Sequence, residues 1–510
     1  MLAKVNSGCV LGVDAYRVDV EVDISNGLPS FSVVGLPDAS IRESRGRIRS
    51  AIKNSGFIFP ERKITVNLSP ADIKKEGVGF DLPIAIGILG ATGVIEQEEL
   101  EGLLLCGELS LNGRLKPFRG ALPIAIALKK NCKAFILPEN NAREAANVKD
   151  ISVYGTPTLR EVVEHIKGTN PLDTVTPREK DPEKNRSHNA PDFKDVKGQE
   201  HVKRGMEVAA GGGHNILLLG PPGSGKSMLA KRFPTILPNL SPEETLEVTN
   251  IYSIAGQLKT DGLMTERPVR CPHHTISYAA MAGGGSYPVP GEISLTHNGV
   301  LFLDEFPEFR RDVLETLRQP LESGEITISR VERSLTYPSR FILIAAMNPC
   351  PCGYFTDPHK RCQCTPHQIQ RYLSKISGPL LDRIDIHLEV PRLNYEQLSK
   401  RRTGEHSFAI KKRVVKSRNI QKKRFKEKPT HSPYNAYMNS REVESFCILS
   451  SEAEELLKTA ILELGISARA YDKILKISRT IADMDESETI ESHHISEAVG
   501  YRCLDRNLWL

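Results

Sequence analysis

Residues 216–227 read Ile-Leu-Leu-Leu-Gly-Pro-Pro-Gly-Ser-Gly-Lys-Ser, four apolar residues followed by Gly220, Pro221, Pro222, Gly223, Ser224, Gly225, Lys226 and Ser227. An apolar run of this kind is a buried strand, and the G-x-x-x-x-G-K-[ST] spacing after it makes a phosphate cradle. The glycines let successive backbone N–H groups point at phosphate oxygens, Lys226 serves the β- and γ-phosphates, and Ser227 offers its hydroxyl to Mg²⁺. Met228 to Phe233 continue as a helix whose N-terminus faces the anion. The stretch therefore predicts an α/β core that binds ATP and Mg²⁺. A Gly-rich turn without a ligand is the plain alternative, and the flanking strand and helix argue against it.

Downstream, Gly299-Val300-Leu301-Phe302-Leu303-Asp304-Glu305 is a second buried strand that ends in two acids. Asp304 is placed to hold Mg²⁺ through water, and Glu305 to polarise the water that attacks the γ-phosphate. The strand Phe341 to Ala346 ends at Met347-Asn348-Pro349, where Asn348 can sense the γ-phosphate. Cys350, Cys352, Cys362 and Cys364 follow; four thiols across a short loop suit a structural Zn²⁺, while the C-x-C spacing leaves unliganded cysteines open. His273 and His274 are adjacent, so they are expected to point in different directions and to be hydrogen-bonded structural residues, not metal ligands.

The chain has 510 residues, too many for one core and suited to about three domains. With 39% apolar and 26% charged residues it has an ordinary globular composition. No stretch approaches the ~20 apolar residues of a membrane span, and the N-terminal residues lack a signal peptide's apolar core, so a cytoplasmic protein without a membrane partner is expected. The ten cysteines lack the spacing of a small disulfide scaffold. The net charge of +5 is concentrated: residues 391–430 hold fourteen Lys/Arg against three Glu. Such a block suits a polyanion or a solvated helix face. Residues 168–191 are polar and Pro-punctuated and read as a linker. The expected units are 1–167, an ATPase core at 192–400, a basic helical connection at 401–434 and a helical end at 435–510. In that end Ala453, Leu456, Leu457, Ile461, Ile474, Leu475, Ile477 and Ile481 recur at helical spacing.

In residues 1–167, Tyr16 to Val22 and Ile64 to Leu68 read as strands and Ala39 to Asn54 as a helix. Glu76 to Ala85 lead into an apolar helix, Gly107 to Leu115 predict a hairpin, and Ala134 to Pro138 a strand. This order resembles the proteolytic domain of Lon-type proteases, an α+β unit. In that family a Ser nucleophile works with a Lys base; here Ile84 and Leu122 stand at those places. Without nucleophile or base no covalent catalysis follows, so a non-proteolytic scaffold for binding or assembly is expected.

The order of motifs around the phosphate loop resembles AAA+ ATPases. Asp192 to Gln199 predict a helix opening on the adenine side, with Val196 near the base or simply in the core. Asn348 matches the sensor-1 position. Arg383, in Ser377 to Asp385, resembles the arginine finger that reaches a neighbouring subunit's ATP, a contribution of ~10³–10⁵ in rate. Arg469, in Gly465 to Ala470, resembles the sensor-2 arginine of a helical lid that closes over the nucleotide. A surface ion pair is the plain alternative for either. Residues 324–337 resemble the pre-sensor-1 hairpin of the helicase-related branch, and Asn250 to Thr296 its helix-2 insertion, which puts Arg330 and Arg333 at a hairpin tip for DNA phosphates.

Together GPPGSGKS, CPHHTISYAAMAGGG, GVLFLDEFPEF, AAMNPCPCGYF, LLDRIDIHLEV and SARAYDKILKISRTIAD resemble the ComM/YifB family of magnesium-chelatase-like AAA+ ATPases. The resemblance implies an α/β P-loop core with helicase-type insertions and an all-helical C-terminal lid, assembled as a hexameric ring. It further implies a motor on single-stranded or branched DNA, a helicase promoting branch migration in recombination and natural transformation. A magnesium-chelatase-type ATPase subunit and a protein-remodelling AAA+ ATPase are the alternatives.

Overall fold

The computed structural model describes residues 1–75, 77–177, 191–258, 262–285, 289–329, 334–355, 357, 360–393, 404–426, 434–464 and 467–502. Arg330, Arg333, most of the linker and the ends of the basic segment lie outside the described residues. No described helix is long and apolar enough to cross a membrane.

The N-terminal strands are β1 (Leu2–Leu11), β2 (Asp14–Ser25), β3 (Ser30–Val34), β4 (Lys63–Ser69), β5 (Leu103–Leu105), the hairpin pair β6 (Glu108–Leu109) and β7 (Leu115–Lys116), β8 (Ala134–Pro138) and β9 (Ser152–Thr156). All but the hairpin form a seven-stranded sheet in the order β3-β4-β2-β1-β5-β8-β9. In β2, Val18, Val20, Val22 and Ile24 are buried, and in β4 Ile64, Val66 and Leu68; period-two alternation puts one face of each strand into the core. Helix α1 (Ala39–Asn54), capped by Asp38, buries Ile41, Ile48 and Ile52 there, and α2 (Asp81–Ala91) is buried along nearly its whole length. Three more helices, α3 (Ala121–Leu128), α4 (Glu139–Ala145) and α5 (Leu159–Ile166), complete this part. Ile84 in α2 and Leu122 in α3 are fully buried in apolar clusters.

The second sheet carries the phosphate loop. Its strands are β10 (Ile216–Leu219), β11 (Val269–Arg270), β14 (Gly299–Leu303), β17 (Phe341–Met347) and β18 (Ile386–Glu389), all parallel and in the order β11-β14-β17-β10-β18. Both faces are covered, so β10, β14 and β17 are continuous apolar runs. Between them lie two antiparallel pairs, β12 (Gly283–Gly284) with β13 (Val289–Pro290) and β15 (Glu325–Ser329) with β16 (Ser334–Pro338). The β15–β16 hairpin buries Ile326, Ile328, Leu335 and Tyr337 on one face. Leu11 and Val13, flanking the β1–β2 turn, pack against that same cluster.

Three sequence expectations need correction. Asp192 opens a 3₁₀ turn over Phe193–Asp195; the helix proper, α6 (Glu200–Gly212), starts after Gln199, whose φ of 57° breaks the chain direction. The insertion does not leave at Asn250. A capping box at Ser241 and Glu244 with Pro242 at the first turn starts α8 (Pro242–Ala255), which ends only at left-handed Gly256. In the C-terminal helices Ala453, Leu457, Ile474, Leu475, Ile477 and Ile481 are buried as periodicity requires, but Leu456 is 37% exposed. Helix Ala468–Met484 packs on α6 and on helix Ser407–Lys426, in one core with Ile216 and Leu218 of β10.

Several cations of the basic block have partners within the chain, while Lys412, Lys422, Lys423 and Lys426 are exposed. Arg413 pairs with Glu207 and Glu405, Lys416 with Glu486, and Arg424 with the fully buried Asp483. Arg418 lies over the Tyr434 ring, 3.6 Å from its centroid, and donates to the Ala210 carbonyl at 3.0 Å. The paired cations tie helix Ser407–Lys426 to its neighbours, and the exposed lysines leave a solvated basic face on the same helix.

Candidate nucleotide site

The loop after β10 is held by its surroundings. Gly220 approaches the Val390 carbonyl so closely that a Cβ would lie 2.3 Å from its oxygen. Gln199 Nε2 donates to the Ser224 carbonyl at 2.8 Å and to the Pro391 carbonyl at 3.0 Å, which ties α6, the loop and the end of β18 together. Helix α7 (Lys226–Arg232) starts at Lys226, its N-terminus turned to the loop. Val196 is fully buried with Phe193 in the shared core.

Lys226 Nζ donates to the carbonyls of Gly220 (2.7 Å) and Pro221 (2.9 Å) and to Asn348 Oδ1 (3.2 Å). Burial pushes its pKa down to about 8, against the opposing pull of Asp304. Ser227 Oγ donates to Asp304 Oδ2 at 2.6 Å. That is the geometry in which one hydroxyl and one carboxylate share a hard cation, since Mg²⁺ takes oxygen ligands and keeps most of its water. Strands β10, β14 and β17 are neighbours in the sheet, and this is why Lys226, Asp304 and Asn348, far apart in sequence, meet at its edge.

Glu305 has a φ of 53°, a left-handed conformation uncommon outside glycine, and its N–H donates to Asp304 Oδ1 at 3.0 Å. Its Oε2 lies 3.1 Å from His274 Nδ1. The two histidine rings do not diverge as expected; their centroids are 4.1 Å apart at an interplanar angle of 34°. His273 is hydrogen-bonded to Thr275 Oγ1 at 2.9 Å, so only His274 reaches the site. His274 and Gln199 are contacts that the sequence motifs missed. No local signal marks them, although the left-handed Gln199 is the kind of outlier that points to a constrained role.

Arg383 and Arg469 lie together, away from Lys226. Arg383 Nη2 donates to Glu322 Oε2 at 2.6 Å, and Arg469 Nη1 donates to Asp382 Oδ2 at 3.1 Å. Asp385, two residues on, anchors this ridge: burial pushes its pKa up, but Lys473 and His214 outweigh that and hold it well below the usual carboxylate range. The ridge ends in two guanidiniums whose partners, Glu322 and Asp382, are carboxylates that a phosphate can replace.

The four thiols of the loop after Asn348 come together, with all four sulfurs within 4.8 Å of one another. Cys350, Cys352 and Cys362 are 3.3, 3.7 and 3.6 Å apart pairwise. Sulfurs at ~2.3 Å around a tetrahedral zinc are roughly 3.8 Å apart, so the cluster fits that ion with small adjustments.

The family described as "Magnesium chelatase, subunit ChlI" matches residues 192–398, "Subunit ChlI of Mg-chelatase" residues 20–141, and "Magnesium chelatase, subunit ChlI C-terminal" residues 404–502. The chain is 45% identical over 509 residues to the competence protein ComM of Haemophilus influenzae, which covers 99% of this chain and 98% of ComM. It is 45% identical over 508 residues to YifB of Escherichia coli, with the same coverage. The magnesium-chelatase 38 kDa subunit of Cereibacter sphaeroides is 24% identical over 175 residues, 31% of this chain and 52% of that one.

Proposed function

Because the chain belongs to the magnesium-chelatase-like family that includes ComM and YifB, we propose that it is an ATP-hydrolysing ring motor, a hexamer that drives branch migration of DNA during recombination of incoming DNA. The observation that carries the ATPase part is the meeting of Lys226, Ser227, Asp304 and Asn348 at one sheet edge. Residues Gly220 to Ser227 would wrap the triphosphate, with Val196 on the adenine side. Ser227 and Asp304 would hold Mg²⁺, which supplies charge neutralisation on the β- and γ-phosphates. Glu305 would orient and deprotonate the attacking water. Arg383, with Arg469 beside it, would stabilise the transferred phosphoryl group of the neighbouring subunit's ATP, so a ring closes each site.

The DNA part rests on relatedness to a competence protein and on the β15–β16 hairpin, since Arg330 and Arg333 fall in sequence between its two strands. The N-terminal domain, Lon-like and lacking a nucleophile, would serve assembly, with its β1–β2 turn seated under that hairpin. A chelatase role is less supported, since the 38 kDa subunit matches under a third of this chain. The ATPase part is tested by turnover of the purified chain beside Lys226→Ala and Glu305→Gln. Glu305→Gln is expected to bind ATP and lose ~10²–10⁴ in turnover, and Lys226→Ala to lose binding. Undiminished hydrolysis in both variants would place the active site elsewhere.

A further inference from the structure

The four-thiol loop is a neighbour of the phosphate loop as well as a cysteine cluster. It leaves β17 directly after Asn348, whose Oδ1 accepts from Lys226. Gly353, inside it, has a φ of 83° and packs on Pro222 of the phosphate loop; a Cβ there would lie 2.5 Å from Pro222 Cδ and 3.6 Å from Asn348 Cγ. Only a glycine meets both demands. What fixes Gly353 is Cys350: the Gly353 N–H lies 2.9 Å from the Cys350 carbonyl and 3.2 Å from its Sγ. A second N–H, of Cys364, lies 3.4 Å from Cys362 Sγ. Such N–H···S contacts are what metal-bound thiolates accept.

No α-helix or strand runs through the described residues between Asn348 and Thr365. Further anchors of this stretch are Tyr354, between Lys360 and Arg392 at 4.9 and 6.0 Å from ring centroid to cation, and the buried Asp357 carboxylate, 3.7 Å from Arg392. A segment without regular secondary structure loses less order when a cross-link holds its backbone against its neighbour.

We infer that Cys350, Cys352, Cys362 and Cys364 bind Zn²⁺ as a brace that presses Gly353 onto Pro222 and so keeps the phosphate loop and Asn348 in the nucleotide-binding arrangement. The ion does no chemistry on ATP. It sets the fraction of molecules whose loop is ready. This rests on the ATP-site reading of Gly220 to Ser227.

The test uses the full chain with zinc bound, the chain after chelation, and Gly353→Ala. Zinc content, free thiols, melting temperature and the Kd of a fluorescent ATP analogue are measured on each. The zinc-loaded chain is expected to hold stoichiometric zinc. Chelation is expected to raise the Kd about tenfold, as it would if the unbraced loop were competent about a tenth of the time, and added zinc to restore it. Gly353→Ala is expected to keep its zinc and show a similar loss, which separates the brace from general unfolding should chelation also lower the melting temperature. Absence of zinc, disulfides among the four cysteines, or an unchanged Kd in zinc-loaded Gly353→Ala would overturn the inference. A zinc-loaded chain that binds no ATP would overturn the ATP-site reading and the brace with it.

Discussion

Lys226 donates to three oxygens that a triphosphate would replace, and burial holds its pKa down to about 8. A polyanion favours the charged lysine and raises that value. Because ATP prefers the protonated form, affinity should fall as pH rises from 7 to 9, and binding near pH 8 should take up a proton. Calorimetry in buffers of different ionisation enthalpy reads this; proton release would contradict it. His274 gives a second prediction. Its Nδ1 lies 3.1 Å from Glu305 Oε2, so His274→Ala should lower kcat ~10–100-fold with KM for ATP little changed, and His274→Gln, which keeps a polar group there, should recover part. Lys226 with Ser227, and Asp304 with Glu305, stand out in the sequence because each pair closes a short local motif that follows an apolar strand. His274 does not, since a contact made across two strands leaves no local pattern.

Among the elements, those with punctuated ends were read best. Helix α1 spans the expected residues, with Asp38 accepting from the Ile41 N–H at its start, and the β6–β7 and β15–β16 hairpins lie where alternating segments flank a turn. The basic helix Ser407–Lys426 shows the opposite case. Composition marked a charge block, while Glu207, Asp483 and the Tyr434 ring, which take up part of that charge, come from elsewhere in the chain. Arg424 Nη1 lies 2.9 Å from Asp483 Oδ2, and Asp483 is also paired with Arg479. Removing Arg424 leaves that carboxylate partly neutralised, so Arg424→Ala should cost about 2–3 kcal/mol, read as a lower melting temperature. The salt dependence of DNA binding should not change. A smaller salt slope at unchanged stability would return this helix to the DNA interface.

For the whole molecule, the N-terminal part meets the ATPase core along α8, where α3 and Leu246 pack and Gly256 lies against Arg119, and at the β1–β2 turn. The β1–β2 turn packs under the β15–β16 hairpin, and Asn250 of α8 donates to the Val13 carbonyl at 3.0 Å. These contacts join the hairpin to the N-terminal domain, and they had no trace in the sequence because they pair residues more than 200 positions apart that carry no shared local pattern. The proposed motor uses that hairpin as its contact with DNA and the Arg383–Arg469 ridge as its contact with the next subunit. ATP hydrolysis by the full chain, measured without DNA, with single-stranded DNA and with a four-way junction while junction separation is followed in the same samples, tests this most directly. The account predicts that DNA stimulates hydrolysis, that junctions separate only with ATP, and that Glu305→Gln and Arg383→Ala do neither. Hydrolysis that depends on Lys226 and Glu305 but is indifferent to every DNA would contradict the DNA motor and leave an ATPase with another track.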